Sequence, residues 1–389
     1  MTAGVLIASA ALAVWLYLIG GRGGFWRASV RDDRDLPAEP ARWPDVIAVV
    51  PARDEADVIG QSLASLLGQD YPGAFAVLLV DDQSRDGTAA AARQAAAGAA
   101  GAAGRLTIVS GRTPPSGWAG KVWAMKQGAY QVDRMAEPPR YLMFTDADIV
   151  YARDALRRLV ARAESGRLAL TTLMVKLRCE TLCERLFIPA FVFFFQMLYP
   201  FAWVNRPDRR TAGAAGGCML VRHDSLRAAG GIEAIRGALI DDCALGRNLK
   251  AVGPVWLGLT ERVRSLRPYP HVNDIRRMVA RTAYDQLGYS PLLLAGTIAG
   301  LALTYLAPPL LALFATGPAQ MVAAAAWALM ILAFQPTLRF YRLSPLWALA
   351  LPGIAAAYMA FTLDSAYQHA RGRGGLWKGR VHANVSELR

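Results

Sequence analysis

Two carboxylates one residue apart, Asp146 and Asp148, close the run Tyr-Leu-Met-Phe-Thr-Asp-Ala-Asp at Tyr141–Asp148. The apolar residues before them suit a short strand buried in an α/β sheet. Both carboxylates would then sit at its carboxyl end, where open α/β sheets place their ligands. Two hard oxygen donors so placed can share a divalent cation, Mg2+ or Mn2+, which bridges the phosphates of a substrate. A plainer reading is a strand running into a turn, with Asp148 capping a helix that begins near Asp154. Further groups suited to the same chemistry recur along the chain: Glu55 after Pro51-Ala52-Arg53, then Asp81, Asp82 and Asp86, then Lys121, and finally Asp241-Asp242.

The elements that must position these groups are legible as alternating strands and helices. Val46–Val50 and Ala76–Val80 read as short strands rich in β-branched and aliphatic residues, and Leu106–Val109 as a third. Each is followed by a helical stretch, and Thr88 can cap the second of these. This alternation predicts a largely parallel sheet with helices on both faces. Strand ends would then bring Glu55, Asp81, Asp82, Asp86, Asp146 and Asp148 together, with Lys121 supplied by the turn Gly117-Trp-Ala-Gly-Lys121. Acidic groups on successive strand ends beside one ammonium suit a nucleotide diphosphate held through a metal. The first carboxylates would take base and ribose, while cation and lysine offset the diphosphate. There is no GxxxxGK[ST] loop and no GxGxxG fingerprint, which counts against kinases and dehydrogenases.

The chain of 389 residues is 54% hydrophobic and 19% charged, a balance that leans towards a membrane protein. Its net charge of +13 gathers at Arg22–Arg34, Arg262–Arg281 and Arg371–Arg380, beside apolar segments. That distribution suits anionic lipid headgroups and not nucleic acid. The four cysteines lack zinc-site spacing and read as reduced thiols of a cytosolic domain. Val5–Ile19 reads as an uncleaved anchor, because the positive charge follows it instead of preceding it. Leu186–Val204 is rich in phenylalanine but interrupted by Pro189, Gln196 and Pro200. It must lie on or dip into the bilayer if the carboxylates on either side of it serve one site; a buried helix pair is the alternative. Pro291–Leu313, Met321–Phe334 and Leu346–Leu363 read as further membrane segments, with Pro308-Pro309 a possible break in the first. The expected organisation is an anchor at 1–21, a basic linker at 22–44, a cytosolic catalytic domain at 45–287 with an interfacial segment at 186–204, and a C-terminal membrane domain with a basic tail at 288–389. The expected location is the inner (cytoplasmic) membrane, crossed several times.

Taken together, Val50–Glu55, Val80–Thr88, Gly117–Lys121, Thr145–Asp148 and Asp-Asp-Cys-Ala-Leu at Asp241–Leu245 resemble the motifs of family 2 inverting glycosyltransferases with the GT-A fold. The likeness spans about Val46 to Leu287 and looks closest to the membrane-bound subgroup associated with hopanoid biosynthesis. The resemblance implies a Rossmann-like nucleotide-sugar domain flanked by N-terminal and C-terminal transmembrane helices. It implies donor contacts from Pro51, Arg53, Glu55, Asp81, Asp82, Lys121 and Asp146, with Glu55 and Asp82 or Asp81 on the uridine end. Asp146 and Asp148 would hold the metal. Asp242 would be the catalytic base, with Asp241 in place of the family's glutamate; a solvated helix start is the plainer reading of that pair. Processive members carry Gln-X-X-Arg-Trp, and the corresponding Met278–Thr282 lacks both glutamine and tryptophan, so a polymer channel is not expected. Arg277 and Arg281 can meet the diphosphate or an anionic lipid equally well. The implied activity is transfer of a single hexose from a nucleotide-sugar donor to a membrane lipid. A polyprenyl phosphate acceptor is one alternative, and a non-catalytic nucleotide-sugar-binding scaffold another.

Overall fold

The computed structural model describes residues 2–99, 104–372, 376–377 and 380–381. The Ala-Gly tract at Ala89–Gly104 and the basic tail Arg371–Arg380 fall partly outside the described residues. The chain gathers into two compact units, one made of Val30–Arg178, Trp203–Arg267 and Leu376–Arg389, the other of Met1–Ser29, Cys179–Ala202 and Pro268–Gly375.

The first unit is built on a sheet whose strands are β1 (Val46–Ala52), β2 (Phe75–Asp81), β3 (Leu106–Ser110), β4 (Tyr141–Thr145), β5 (Ile149–Tyr151), β6 (Leu170–Lys176), β7 (Cys218–Arg222) and β8 (Val255–Ser265). Their spatial order is β3-β2-β1-β4-β7-β6-β8-β5. β1 lies parallel to β2 and β4, β2 to β3, and β6 to β8, whereas β7 and β5 run antiparallel to their neighbours. This is the mixed, mostly parallel α/β sheet that the alternation predicts. The expected strands form and extend slightly further than their apolar runs. β5 was not expected: the chain leaves Asp148 into a strand, and the next helix, Ala155–Ser165, starts after Asp154. Asp148 therefore caps no helix.

Parallel strands covered on both faces bury nearly every residue, and β1 shows it, with Val46, Ala48, Val49 and Val50 each at most 1% exposed. Pro51 has no N–H to give, and it falls where β1 has run past its pairing with β4, whose register ends at Val49↔Phe144. On one face lies the helix Ile59–Leu67, whose Ile59, Leu63, Leu66 and Leu67 form one apolar stripe. On the other lies the helix Gly120–Asp133, seated closely enough that a Cβ on Gly128 would stand 2.4 Å from Val49 Cγ1. Only glycine fits there, and that close approach seats the helix carrying Lys121 against β1.

The second unit is helical. Among the described residues five helices are long and apolar enough to cross a membrane: Ala3–Gly20, Leu182–Val204, Pro291–Phe314, Pro318–Phe340 and Pro345–Ala370. The helix Leu182–Leu198 opens on a capping box, with Thr181 and Glu184 satisfying each other's backbone N–H, and runs through Pro189. Its phenylalanines pack inwards: Phe193 against Phe25 and Phe334, Phe194 against Tyr305 and Tyr358. Pro308-Pro309 does not break its helix. A π-turn at Ala302–Leu306 precedes the prolines, and the Thr304 carbonyl, which Pro308 cannot serve, accepts instead from Trp15 Nε1 at 2.8 Å. An indole N–H from the first helix thus replaces the missing backbone donor.

Candidate active site

The carboxyl ends of β1, β2, β3, β4, β6 and β8 open on one edge of the sheet, and the amino end of β7 joins them through the pair Thr145↔Cys218. Glu55 follows β1 in a loop tied to the loop after β2. Glu55 N donates to Thr88 Oγ1 at 2.9 Å, Ala56 N to Asp86 Oδ2 at 2.9 Å, and Arg85 N to Asp54 Oδ1 at 2.8 Å. Arg53 Nη1 donates to the Asp82 carbonyl at 2.6 Å and stands 3.8 Å from its carboxylate. Asp82 is completely buried, whereas Asp81 is half-buried and accepts from Ser84 N. Of that pair, Asp81 is the more open to a ligand.

Lys121 is the hub of the next group. Its ammonium lies 2.8 Å from Asp146 Oδ1 and 3.2 Å from Asp241 Oδ2, the latter an ion pair without a hydrogen bond. Burial alone would lower the lysine's pKa, but Asp146 and Asp241 outweigh it and raise it. Burial pushes the Asp146 carboxyl up, against the pull of Lys121 and with the repulsion of Asp148. Asp241 and Asp242 open the helix Asp241–Val252, where an acidic residue meets the positive end of the helix dipole. Asp242 Oδ2 accepts from Gly216 N at 2.8 Å and Oδ1 from Cys243 N at 2.7 Å. A Cβ on Gly216 would lie 3.2 Å from Lys121 Nζ and 3.3 Å from Asp242 Oδ2, so the bare backbone lets these groups close up. Burial first, and then Asp241, push the Asp242 carboxyl up to about 6.

Asp148 is buried and belongs to a third group. Its Oδ2 accepts from Ser265 Oγ at 3.0 Å and from Arg267 Nε at 3.1 Å, while Arg267 Nη2 reaches Glu55 Oε1 at 2.7 Å. Sequence reasoning missed Arg267. It read the basic cluster Arg262–Arg281 as suited to anionic lipid headgroups, with only Arg277 and Arg281 also able to meet the diphosphate, yet Arg262 pairs with Asp154 at 3.2 Å and Arg276 pairs with Asp364. A strand assignment for Val255–Ser265 would have placed Arg267 just past a strand end. Arg277 and Arg281 lie on and just after the helix Val272–Ala280 of the helical unit. The cysteines are free thiols, as expected.

Among the described residues no cluster of three His, Cys, Asp or Glu could hold a metal. The Asp146–Asp148 pair, two hard carboxylates, nevertheless fits Mg2+ or Mn2+. Such ions commonly take one or two carboxylates and complete their shell with water and substrate phosphates.

Residues 47–230 match the family model Glycosyl transferase family 2. Over that segment, a little under half of the chain, the protein is similar to family 2 glycosyl transferases. No curated protein matches the chain. Among solved structures, the mannosyltransferase PcManGT from Pyrobaculum calidifontis, in complex with GDP-Man and Mn2+, aligns over 97% of this chain and 100% of its own, with 20% identity and a TM-score of 0.54. That likeness shows a shared fold. Weaker alignments include S. aureus TarS 1-349 in complex with UDP-GlcNAc, at 13% identity over 88% of this chain and 97% of that one, TM-score 0.39. Another is mannosyl-3-phosphoglycerate synthase from Rubrobacter xylanophilus, at 16% identity over 71% and 84%, TM-score 0.37.

Proposed function

We propose that the protein is a membrane-bound inverting glycosyltransferase. In this reading it moves one sugar from a UDP-sugar donor to a membrane lipid, with a hopanoid as the acceptor class. The observation that carries it is the convergence of Asp146, Asp148, Asp241 and Asp242 on the edge that holds Lys121 and Arg267. Glu55 and Asp81 or Asp82 take the nucleoside, backed by Pro51 and Arg53. Asp146 and Asp148 hold a divalent cation, which when bound lends positive charge to the departing diphosphate; the Mn2+ bound by the Pyrobaculum mannosyltransferase supports that choice of ion. Asp242 takes the proton from the acceptor hydroxyl as its oxygen forms a bond to the anomeric carbon. The bond from that carbon to the diphosphate breaks on the opposite face, and its electron pair leaves with the diphosphate. Asp242 suits this task because its carboxyl, held near 6, is mostly ionised at neutral pH yet basic enough to accept a proton. Lys121 keeps Asp146 and Asp241 in place meanwhile.

The domain at 45–287 is proposed to face the cytosol, with Leu186–Val204 at the bilayer surface and basic residues such as Arg277 and Arg281 against anionic lipids. Single cysteines at Ser116 and Ser225 should both stay unlabelled by an impermeant reagent added to intact cells, and both label once the cells are opened. Labelling of Ser225 alone from outside would mean that the phenylalanine-rich helix crosses and the single-site reading fails. The function itself is tested by mass spectrometry of membrane lipids from cells with and without the protein. A hexosylated lipid that disappears with the protein is expected. Unchanged neutral lipids with a missing sugar-phosphate polyprenol would replace the hopanoid acceptor with a polyprenyl phosphate.

A further inference from the structure

Arg267 touches both ends of the donor site at once. One arm, Nε, holds the buried Asp148 at 3.1 Å; another, Nη2, holds the buried Glu55 at 2.7 Å. The two carboxylates lie far apart in the chain, one after β4 and one after β1, and in the proposed function one takes the metal and the other the nucleoside. The backbone of Arg267 is tied to the same group, because Arg267 N donates to Ser265 Oγ at 3.2 Å and that hydroxyl donates in turn to Asp148 Oδ2 at 3.0 Å. Arginine suits the role because its planar fork presents donors to two acceptors without bending. Two other carboxylates of the edge, Asp146 and Asp241, have their own counter-ion in Lys121. Asp148 and Glu55 thus share the guanidinium of Arg267.

We propose that Arg267 is a positioning residue that couples the two halves of the donor site: a nucleoside taking Glu55 and a divalent cation taking Asp148 each displace one arm of the same guanidinium, so that each ligand makes the other bind more tightly. This rests on the assignment of Asp146–Asp148 to the metal and Glu55 to the nucleoside. The physical basis is linkage. The first ligand to arrive breaks the fork and bears the cost of freeing the arginine, and the second finds it already loosened. Coupling is then reciprocal by necessity. Its consequence is that neither free metal nor a free nucleoside occupies the site well alone, whereas the intact donor with its metal does.

The test uses the full-length protein in detergent and Mn2+ followed by the electron paramagnetic resonance of the free ion. The partner ligand is a nucleoside, uridine or guanosine, whichever diphosphate stabilises the protein; having no phosphate, it cannot touch the metal itself. In wild type, saturating nucleoside should tighten Mn2+ binding by about 5- to 150-fold, the usual range for coupled sites. Arg267→Gln should bind Mn2+ tightly without nucleoside and gain nothing from adding it. Arg267→Lys, which keeps the charge and loses the fork, should retain only part of the coupling, and it serves if the glutamine variant does not fold. Arg262→Gln, which removes a nearby charge that pairs with Asp154 instead, should behave as wild type. Coupling that is absent in wild type, or that survives in Arg267→Gln, overturns the proposal while leaving the metal site intact. Failure of wild type to bind Mn2+ even with the nucleoside diphosphate present overturns the metal site and this coupling together.

Discussion

Asp242→Asn is expected to slow sugar transfer by about 100- to 10,000-fold, the usual worth of a positioned general base. The amide keeps the shape of the carboxylate and can still accept from Gly216 N or Cys243 N through its oxygen. It cannot take a proton from the acceptor. Donor binding should change little, because the groups assigned to nucleoside and metal stand on other strand ends. The pH profile carries the same signature. Asp242 must be ionised to act, and burial together with Asp241 holds its carboxyl up to about 6. Turnover of the wild type should therefore rise as pH climbs towards and through 6 and level off above it. The residual activity of the variant should lack that limb. Normal turnover in Asp242→Asn would move the base elsewhere, with Asp241 the next candidate. Loss of nucleotide binding as severe as in Asp148→Ala would place Asp242 in the donor site instead.

Asp148→Ala is expected to remove metal-dependent stabilisation by UDP and to cost turnover about a thousandfold. That figure follows if the cation contributes several kcal/mol of charge stabilisation to the departing diphosphate, at roughly 1.4 kcal/mol per factor of ten. Without Asp148 the metal keeps only Asp146, which Lys121 already holds. Arg267 retains Glu55 and Ser265, so the loop after β8 stays tethered and the fold is expected to survive. Thermal melting with UDP, with and without Mn2+ or Mg2+, measures the loss. Equal stabilisation of wild type and variant by metal plus UDP would remove Asp148 from the metal site.

Much of the sheet unit is written locally in the chain. β1 to β4 appear as apolar runs because strands buried on both faces must be apolar along their length. The carboxylates that end them stand at the same edge because parallel strands share one direction. Composition likewise marks the apolar helices, since a segment that crosses a membrane must be long and nearly free of charge. β5 is too short to leave a signal, and its pairing with β8, not its own residues, makes it a strand.

Only the tertiary structure decided which charges meet. Arg267 is 119 positions from Asp148 and 212 from Glu55, and it reaches them because β8 runs parallel to β6 and ends on the same edge as β4. Only its place just past the end of β8 distinguishes it from the neighbouring arginines read as lipid-facing. The same holds for Trp15, whose indole serves the Thr304 carbonyl that Pro308 leaves bare, across 289 positions. Lys121 was legible as a cation near the site, but its two partners were not. Sequence by itself determined which carboxylates follow the first four strands at the edge of the sheet, because strand–helix alternation returns those strands in one direction. Their pairing depends on register between distant strands and on close contacts such as those at Gly128 and Gly216, which no local pattern carries.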